Sequence, residues 1–155
     1  MIGVDDDAVG RIDDALNTLV RRTQGPRAQE QLSARAGLSL ERAAYPLLRR
    51  IGEAATVRTS DVASALSVDV STVSRQVKQL ELEGLVARQP DPSDGRASVL
   101  ALTPAGVEAL ERLRRARQEV LAEVMAGWPD EHRATLADLI CRLADDIVAY
   151  QPREA

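Results

Sequence analysis

The sequence predicts a mainly α-helical fold that carries one small β-hairpin. Apolar residues recur at three- and four-residue spacing along most of the 155-residue chain, which is the periodicity of amphipathic helices. Phe is absent and only Trp128, Tyr45 and Tyr150 are aromatic, so the core must be aliphatic. Two short helical segments separated by three residues, and then a segment rich in proline, predict a helix-turn-helix followed by a hairpin. This order is that of a winged helix-turn-helix, here with further helices on both sides.

Length and composition restrict the class of protein. A chain of 155 residues with 45% hydrophobic and 28% charged residues fits one globular domain. The acidic N-terminus lacks the apolar segment of a signal peptide, and no apolar run approaches the ~18 residues needed to span a bilayer. A cytoplasmic location without membrane contact is therefore expected. Cys141 is the only cysteine, which excludes a cysteine-based zinc site, and no metal or cofactor is predicted.

Three helices are predicted before the helix-turn-helix, at residues 5–22, 27–36 and 40–52. The first has an apolar stripe and ends at Gly25-Pro26. The third is expected to begin with Ser39 as its N-cap, because a serine side chain can accept a bond from a free backbone N–H. Pro46 lies inside the third helix and should kink or divide it, since proline lacks that N–H.

The helix-turn-helix is predicted at residues 60–66 and 70–83, on either side of Ser67, Val68 and Asp69. Asp69 is placed to cap the second helix by accepting backbone N–H bonds. The second helix buries an apolar stripe at i, i+4 and i+7 spacing. The stripe consists of Val73, Val77 and Leu80.

After Gly84 the periodicity of the apolar residues changes, which predicts two strands at residues 85–88 and 97–102. The segment between them contains two prolines and Asp94-Gly95, which predicts a hairpin with a projecting tip. Thr103 then reads as the N-cap of a long helix with Pro104 in its first position. Pro129 separates that helix from a last one at about 130–150. The apolar face predicted for the long helix consists of Val107, Leu110, Leu113, Val120, Leu121 and Val124.

The second helix of the helix-turn-helix carries a polar face that suits the major groove of DNA. Opposite its buried stripe lie Ser71, Arg75 and Lys78, and this face has almost no carboxylates. Arginine reads guanine edges, and hydroxyl and amide groups read bases or bind phosphates. At the tip, Arg96 can enter the adjacent minor groove with Asp94 orienting it. The predicted DNA-binding residues are Ser71, Thr72, Ser74, Arg75, Gln76, Lys78, Gln79, Asp94 and Arg96.

The formal net charge of −4 opposes this interpretation. Residues 58–96 contain five basic residues and six acidic ones, so the module is not basic in sum. The helical projection nevertheless places the basic residues on the proposed reading face and hairpin. Only modest non-specific affinity for DNA is therefore expected.

The ordered set of motifs resembles the MarR (multiple antibiotic resistance regulator) family of bacterial transcription factors. The motifs are VSTVSRQVKQLE at 70–81, EGLVAR at 83–88, Asp91-Pro92, DGR at 94–96 and LTPAG at 102–106. The resemblance implies a homodimer on a pseudo-palindromic operator, with repression as the expected direction and frequent release by a small-molecule effector or oxidant. Residues 1–155 would then form one domain, with dimerisation helices in 5–36 and 104–150 and the DNA-binding region in 39–103.

Two other interpretations remain open. A helical protein-interaction module could retain the winged scaffold without binding DNA, and the acidic total favours that alternative. An enzyme would need a phosphate-binding loop, a nucleophile elbow or a histidine pair, and the sequence has none of these. Cys141 is expected to be structural rather than redox-sensing, His132 to lie on the surface, and Trp128 to anchor the corner between the last two helices.

Overall fold

A computed structural model of the chain describes residues 6–23, 25–40, 44–91 and 94–150, leaving the side chains of Asp6 and Arg96 outside the description. The chain divides into two compact units, Met1–Arg117 and Gln118–Ala155. In chain order the elements are α1 (Asp6–Thr23), α2 (Pro26–Arg35), α3 (Ala44–Gly52), β1 (Val57–Arg58), α4 (Thr59–Leu66), α5 (Val70–Leu82), β2 (Val86–Asp91), β3 (Asp94–Leu102), α6 (Pro104–Val124) and α7 (Asp130–Ala149). The predicted mainly helical fold with a winged helix-turn-helix is confirmed.

The core of the first unit is aliphatic and gathers the helix-turn-helix around one cluster. The stripe predicted for α5 is buried as expected. Complete burial of a Leu, Ile or Val side chain contributes about 1.5–3 kcal/mol each, so this cluster holds the two helices together. Its fully buried members are Leu47, Leu48, Ile51, Val62, Val73, Val77, Leu100 and Leu113.

The turn between α4 and α5 is formed as the sequence predicts. Ser67 ends α4 in the left-handed region with φ 53°, and the Val68 N–H donates to the Ala63 carbonyl at 3.0 Å. This bond closes the last turn of α4. Asp69 is the N-cap of α5 and accepts from the Thr72 N–H. The three-residue connection therefore satisfies backbone groups at both helix ends.

The wing is a three-stranded antiparallel sheet in the order β1-β3-β2. Both long strands extend further toward the tip than the periodicity predicts, to Asp91 and from Asp94. The two-residue strand β1 is not predicted by the sequence. It forms because Val57 and Arg58 pair with Leu100 and Val99 of β3, a contact that local pattern does not reveal.

The start of α6 packs directly against the end of the helix-turn-helix. The Thr103 hydroxyl accepts from the Gly106 N–H at 3.0 Å, as an N-cap does, and donates to the Gly84 carbonyl at 2.6 Å. The Thr103 N–H donates to the Leu85 carbonyl at 3.1 Å. Gly84, with φ +72°, allows the chain to leave α5 in the left-handed region. The predicted Thr103 cap and Gly84 helix end are confirmed.

The prediction that Ser39 caps the third helix is wrong. Leu40, which would be its first residue, is not helical, and α3 is described from Ala44 onward, with residues 41–43 outside the description. Proline is tolerated in the first turn of a helix, where its missing N–H has no intrahelical partner. The described part of α3 runs from Ala44 to Gly52 through Pro46, so the helix is not divided at the proline.

The buried face of α6 differs in part from the predicted one. Gly106, Ala109, Leu113 and Ala116 are its buried residues, and Leu110 is only partly buried. Small side chains on this line let the helix approach the core closely. The remaining predicted residues are exposed instead: Val107, Val120, Leu121 and Val124.

The terminal helices α1 and α7 each expose an apolar stripe. In α1 the exposed fractions range from 39% at Leu16 to 53% at Leu19, and α7 contains no buried residue. Cys141 and His132 are exposed on α7. Trp128 is 43% exposed, so it is not a buried anchor. The exposed apolar residues of the two helices are Val9, Ile12, Leu16, Leu19 and Val20 in α1 and Leu139, Ile140, Ile147 and Val148 in α7.

We expect Gly106→Ala to destabilise the protein. A Cβ at this position would lie 1.9 Å from the Leu85 carbonyl oxygen, which is backbone and cannot move aside cheaply. Forced overpacking of this kind costs about 3 kcal/mol or more. Thermal or urea unfolding measures the loss. Gly127→Ala is the matched control, because a Cβ there meets nothing within 4 Å, and equal stability of the two variants would contradict the close approach.

Candidate DNA-binding surface

The exposed face of α5 presents two long cationic side chains. Arg75 and Lys78 are both exposed, and neither forms a hydrogen bond or ion pair with any residue that the structure describes. The helical projection that places them opposite Val73 and Val77 is confirmed. Their charged groups are therefore available to a partner outside the chain.

Asp69 organises the beginning of this helix. One carboxylate oxygen accepts from the Thr72 N–H at 2.8 Å and from the Ser71 hydroxyl, and the other accepts from the Thr72 hydroxyl at 2.7 Å. These hydrogen bonds hold the pKa of Asp69 well below its ordinary value of 3.8. The Ser71 and Thr72 hydroxyls therefore donate their hydrogens to the cap residue Asp69. Their oxygen lone pairs can still accept a hydrogen bond from another donor.

The remaining polar residues predicted on α5 are half-buried and lie at the sides of the exposed face. Gln79 donates to Glu83 at 2.9 Å. Gln76 lines a surface cavity of about 640 Å³ together with residues of α3 and α4, so it does not lie beside Arg75 on the exposed face. Ser74 is partly exposed. The structure therefore brings Ser71, Arg75 and Lys78 together on one face and places Gln76 behind it.

An ion pair connects α5 to the wing. Arg88 of β2 lies 3.1 Å from the Glu81 carboxylate of α5 and also approaches the Ser98 hydroxyl of β3. The side chains are 37% and 26% exposed, so solvent screens the pair and its contribution to stability is small. Its geometric effect is to link the helix to both long strands.

The base of the wing is closed by Arg58 and Asp91. The Arg58 guanidinium donates to one Asp91 oxygen from Nε at 2.8 Å and from a terminal nitrogen at 2.5 Å. Asp91 is only 7% exposed. The hydrogen bond from Arg58 to Asp91, and then their opposite charges, raise the pKa of Arg58 further above its ordinary value, with a smaller contribution from Asp94. Arg58 therefore stays protonated at any physiological pH.

Sequence reasoning assigned no role to Arg58 or Asp91. The two residues are 33 positions apart, and neither periodicity nor local motif links them. The one available signal was an aspartate directly before Pro92 at the end of a strand, where a buried charge would need a cation.

The tip of the wing is described only in part. Asp94 is exposed, and its backbone pairs with Asp91. Residues 92 and 93 and the side chain of Arg96 lie outside the described residues. The prediction that Asp94 orients Arg96 stays a prediction.

The acidic residues of the module differ in whether a cation lies beside them. Glu81 pairs with Arg88, and Asp91 pairs with Arg58. Asp69 and Glu83 accept hydrogen bonds from neutral groups and keep their charge. The exposed face of α5 is therefore cationic only locally, at Arg75 and Lys78.

Two further site classes were tested within the described ranges. No group of three or more His, Cys, Asp or Glu residues there is placed to hold a metal ion. No helix within 6–23, 25–40, 44–91 and 94–150 combines the length and apolarity needed to cross a membrane.

Sequence comparison relates the chain to known regulators. The profile of the MarR family matches residues 40–98. The chain is 33% identical over 128 residues to the HTH-type transcriptional regulator YxaD of Bacillus subtilis, an alignment that covers 83% of this chain and 87% of that protein. The HTH-type transcriptional regulator ML2140 of Mycobacterium leprae is 33% identical over 129 residues, or 81% of each protein.

Solved structures share the same architecture. Wild-type MarR from E. coli in its apo form superposes with a TM-score of 0.71 at 27% identity, covering 86% of this chain and 94% of that one. A MarR family protein from Bacillus stearothermophilus reaches a TM-score of 0.79 at 17% identity, with 94% and 99% covered, a likeness that concerns the fold alone. With its identity to YxaD over most of both chains, and with this fold, the chain belongs to the MarR family of winged helix-turn-helix transcriptional regulators.

Proposed function

We propose that this protein is a cytoplasmic, homodimeric repressor that binds a pseudo-palindromic operator in duplex DNA. The observation that carries the proposal is the exposed face of α5, where Arg75 and Lys78 have no partner within the described chain. Nothing in the described residues suggests a catalytic role, and we propose none.

The geometry suits one helix in the major groove and the wing beside it. An α-helix fits the ~12 Å width of that groove, and arginine can bind guanine O6 and N7 with two hydrogen bonds. Lys78, one turn further along α5, is suited to a phosphate. We propose that Ser71, Thr72, Ser74 and Gln79 make the supporting contacts, and that Arg96 enters the minor groove with Asp94 beside it.

The homodimer is supported by the exposed apolar stripes of α1 and α7. A soluble monomer does not readily leave two such stripes in water, and burial against a second copy removes both from solvent. Two copies related by a twofold axis would present two α5 helices to successive turns of the major groove. A pseudo-palindromic operator follows from that symmetry.

We further propose that a small-molecule effector binds in the surface cavity beside α5. The surface cavity beside α5 combines apolar residues, such as Leu66 and Val68, with Arg49, Arg50 and Arg117. Arg117 lies 5.8 Å above the ring of Tyr45. A small organic anion with an apolar body fits this composition, and a screen of phenolic acids for release of bound DNA tests it.

We expect Arg75→Ala to weaken operator binding by ~1–3 kcal/mol per half-site and to relax preference at one base position, because a base contact would be lost. Arg75→Lys should restore little of the loss if the contact uses two hydrogen bonds. Binding is measured on a duplex selected by the purified wild-type protein. Arg133→Ala, which removes a cation from α7, is the control. If the two Arg75 variants bind operator and random duplex as wild type does, α5 does not recognise the bases. The alternative of a protein-interaction module without DNA binding is then favoured.

Lys78 is the single lysine of the chain, which permits a direct footprint. We expect operator DNA to protect Lys78 from an amine-acylating reagent, because its ammonium group would lie against a phosphate. Mass spectrometry measures the acylated fraction, with the N-terminal amine as internal control. Equal acylation of Lys78 with and without saturating operator would contradict the placement of α5 against DNA.

We expect Arg96→Ala to weaken operator binding at least tenfold, or about 1.4 kcal/mol, with thermal stability and dimerisation near wild type. The loss should be largest on operators with A·T-rich flanks, whose narrow minor groove attracts a guanidinium. Fluorescence anisotropy on A·T- and G·C-flanked duplexes measures it. Equal affinity of wild type and variant for both duplexes would exclude the minor-groove role.

We expect Ile140→Asp to break the dimer, because it places a charge on the exposed apolar stripe of α7. The molar mass measured by light scattering should fall from twice the 16.8 kDa mass of the chain toward the mass of one chain. Leu82→Asp is the matched control, since Leu82 is 75% exposed on α5 and outside both stripes. A dimer that survives Ile140→Asp as it survives Leu82→Asp would argue against this interface.

A further inference from the structure

The Arg58–Asp91 ion pair joins the two edge strands of the wing. Arg58 belongs to β1 and Asp91 ends β2, and β3 lies between them. Arg58 and Gln89 are both register partners of Val99. Because register partners point to the same side of a sheet, the ion pair spans the face that carries Val99, which is 5% exposed although it lies outside the main core cluster.

The ion pair crosses the sheet at the point where the backbone pairing of β2 with β3 is weakest. The pairing of β2 with β3 is irregular between Pro90 and Asp91, and Pro90 has no N–H to donate. Among the described residues beyond this point, register pairing joins Asp91 to Asp94 and no other pair. A link from a third strand therefore restrains the segment from which the tip projects, at the position where hydrogen bonds along the ladder restrain it least.

The chemistry of the pair suits a fixed link. Two guanidinium nitrogens bind one oxygen of a carboxylate that is 7% exposed, while the Arg58 side chain remains 45% exposed. A largely desolvated carboxylate holds its cation more tightly than a surface one does. Arginine also loses less side-chain conformational entropy than lysine for each hydrogen bond formed, because its guanidinium group is planar.

We propose that Arg58 is a positioning residue for DNA binding: through Asp91 it fixes the base of the wing and thereby the place from which Arg96 reaches the minor groove. The inference rests on the proposed role of Arg96. In this proposal Arg58 acts through Asp91, to which two of its guanidinium nitrogens donate, rather than through a contact of its own with DNA.

The direction in which one substitution changes DNA affinity distinguishes this positioning role from a purely electrostatic effect. Asp91→Asn removes a negative charge from a DNA-binding module, so charge alone predicts equal or tighter binding. Positioning predicts the opposite, because the neutral amide no longer holds the guanidinium. Glu108→Gln is the matched control, since it removes an exposed carboxylate from α6 without touching the wing.

The experiment uses the full-length protein and a duplex that wild type enriches from a random pool of roughly 30 base pairs, enough for two half-sites. The duplex is then remade with A·T or G·C flanks. We expect Asp91→Asn and Arg58→Gln each to weaken binding to the A·T-flanked duplex about fivefold, and to lose most of that effect when Arg96 is already alanine, as coupled residues do. Glu108→Gln should bind as tightly as wild type or more tightly.

Three results would overturn the inference. One is Asp91→Asn binding as tightly as wild type. Another is that Arg58→Gln weakens DNA binding by the same factor in the Arg96→Ala background as in the wild-type background. That result would mean that Arg58 contacts DNA directly. If circular dichroism shows either variant unfolded, Arg58→Met replaces it, because methionine keeps an unbranched side chain without the charge, and an undiminished preference for A·T flanks in that variant is the third. A wild-type protein that enriches no duplex would instead overturn the proposed function, and the inference with it.

Discussion

The approach of α6 to the Leu85 carbonyl is the constraint on which the DNA-binding half of the molecule depends. At this point α5 has just ended, β2 is about to begin, β3 has just ended and α6 starts. Thr103 bonds to Gly84 and Leu85 with its side chain and backbone. Gly106 leaves no room for a Cβ beside the Leu85 oxygen. The junction of α5, β2 and α6 is therefore held by close backbone contacts together with the hydroxyl of Thr103.

Electrostatics in the module follows from where each carboxylate is used. The chain is acidic in sum, yet the acidic groups nearest α5 and the wing serve as a helix cap or as partners for arginine and glutamine. Arg75 and Lys78 remain without such partners in the described chain. Net charge is a statement about long-range attraction, whereas binding at a groove depends on the few cations that are not already paired.

The helix α5 and the wing are held by partly different means. α5 packs its stripe of Val73, Val77 and Leu80 into the core. The base of the wing shares that core through the residues Val57, Val86 and Leu100. Beyond them the strands are held by their ladder and by the ion pairs Arg58–Asp91 and Glu81–Arg88.

The order and type of almost every element followed from the sequence, because each depends on neighbouring residues. The three-residue turn, the Asp69 cap, the Gly84 helix end and the Thr103-Pro104 helix start are all local chemistry. The same holds for the polar face of α5, since a helix of known period fixes which residues oppose the buried stripe. Family membership was also readable, from motifs at fixed spacing.

What only the tertiary structure decided involves residues far apart in the chain. The strand β1 exists because β3 pairs with it, and Asp91 can be buried because Arg58 reaches it from 33 residues away. The buried face of α6 combines Leu113 with small residues, and the close approach to the Leu85 carbonyl requires glycine at position 106. Periodicity reports which residues share a face, but the partner that the face meets, and at what distance, is decided by the folded chain.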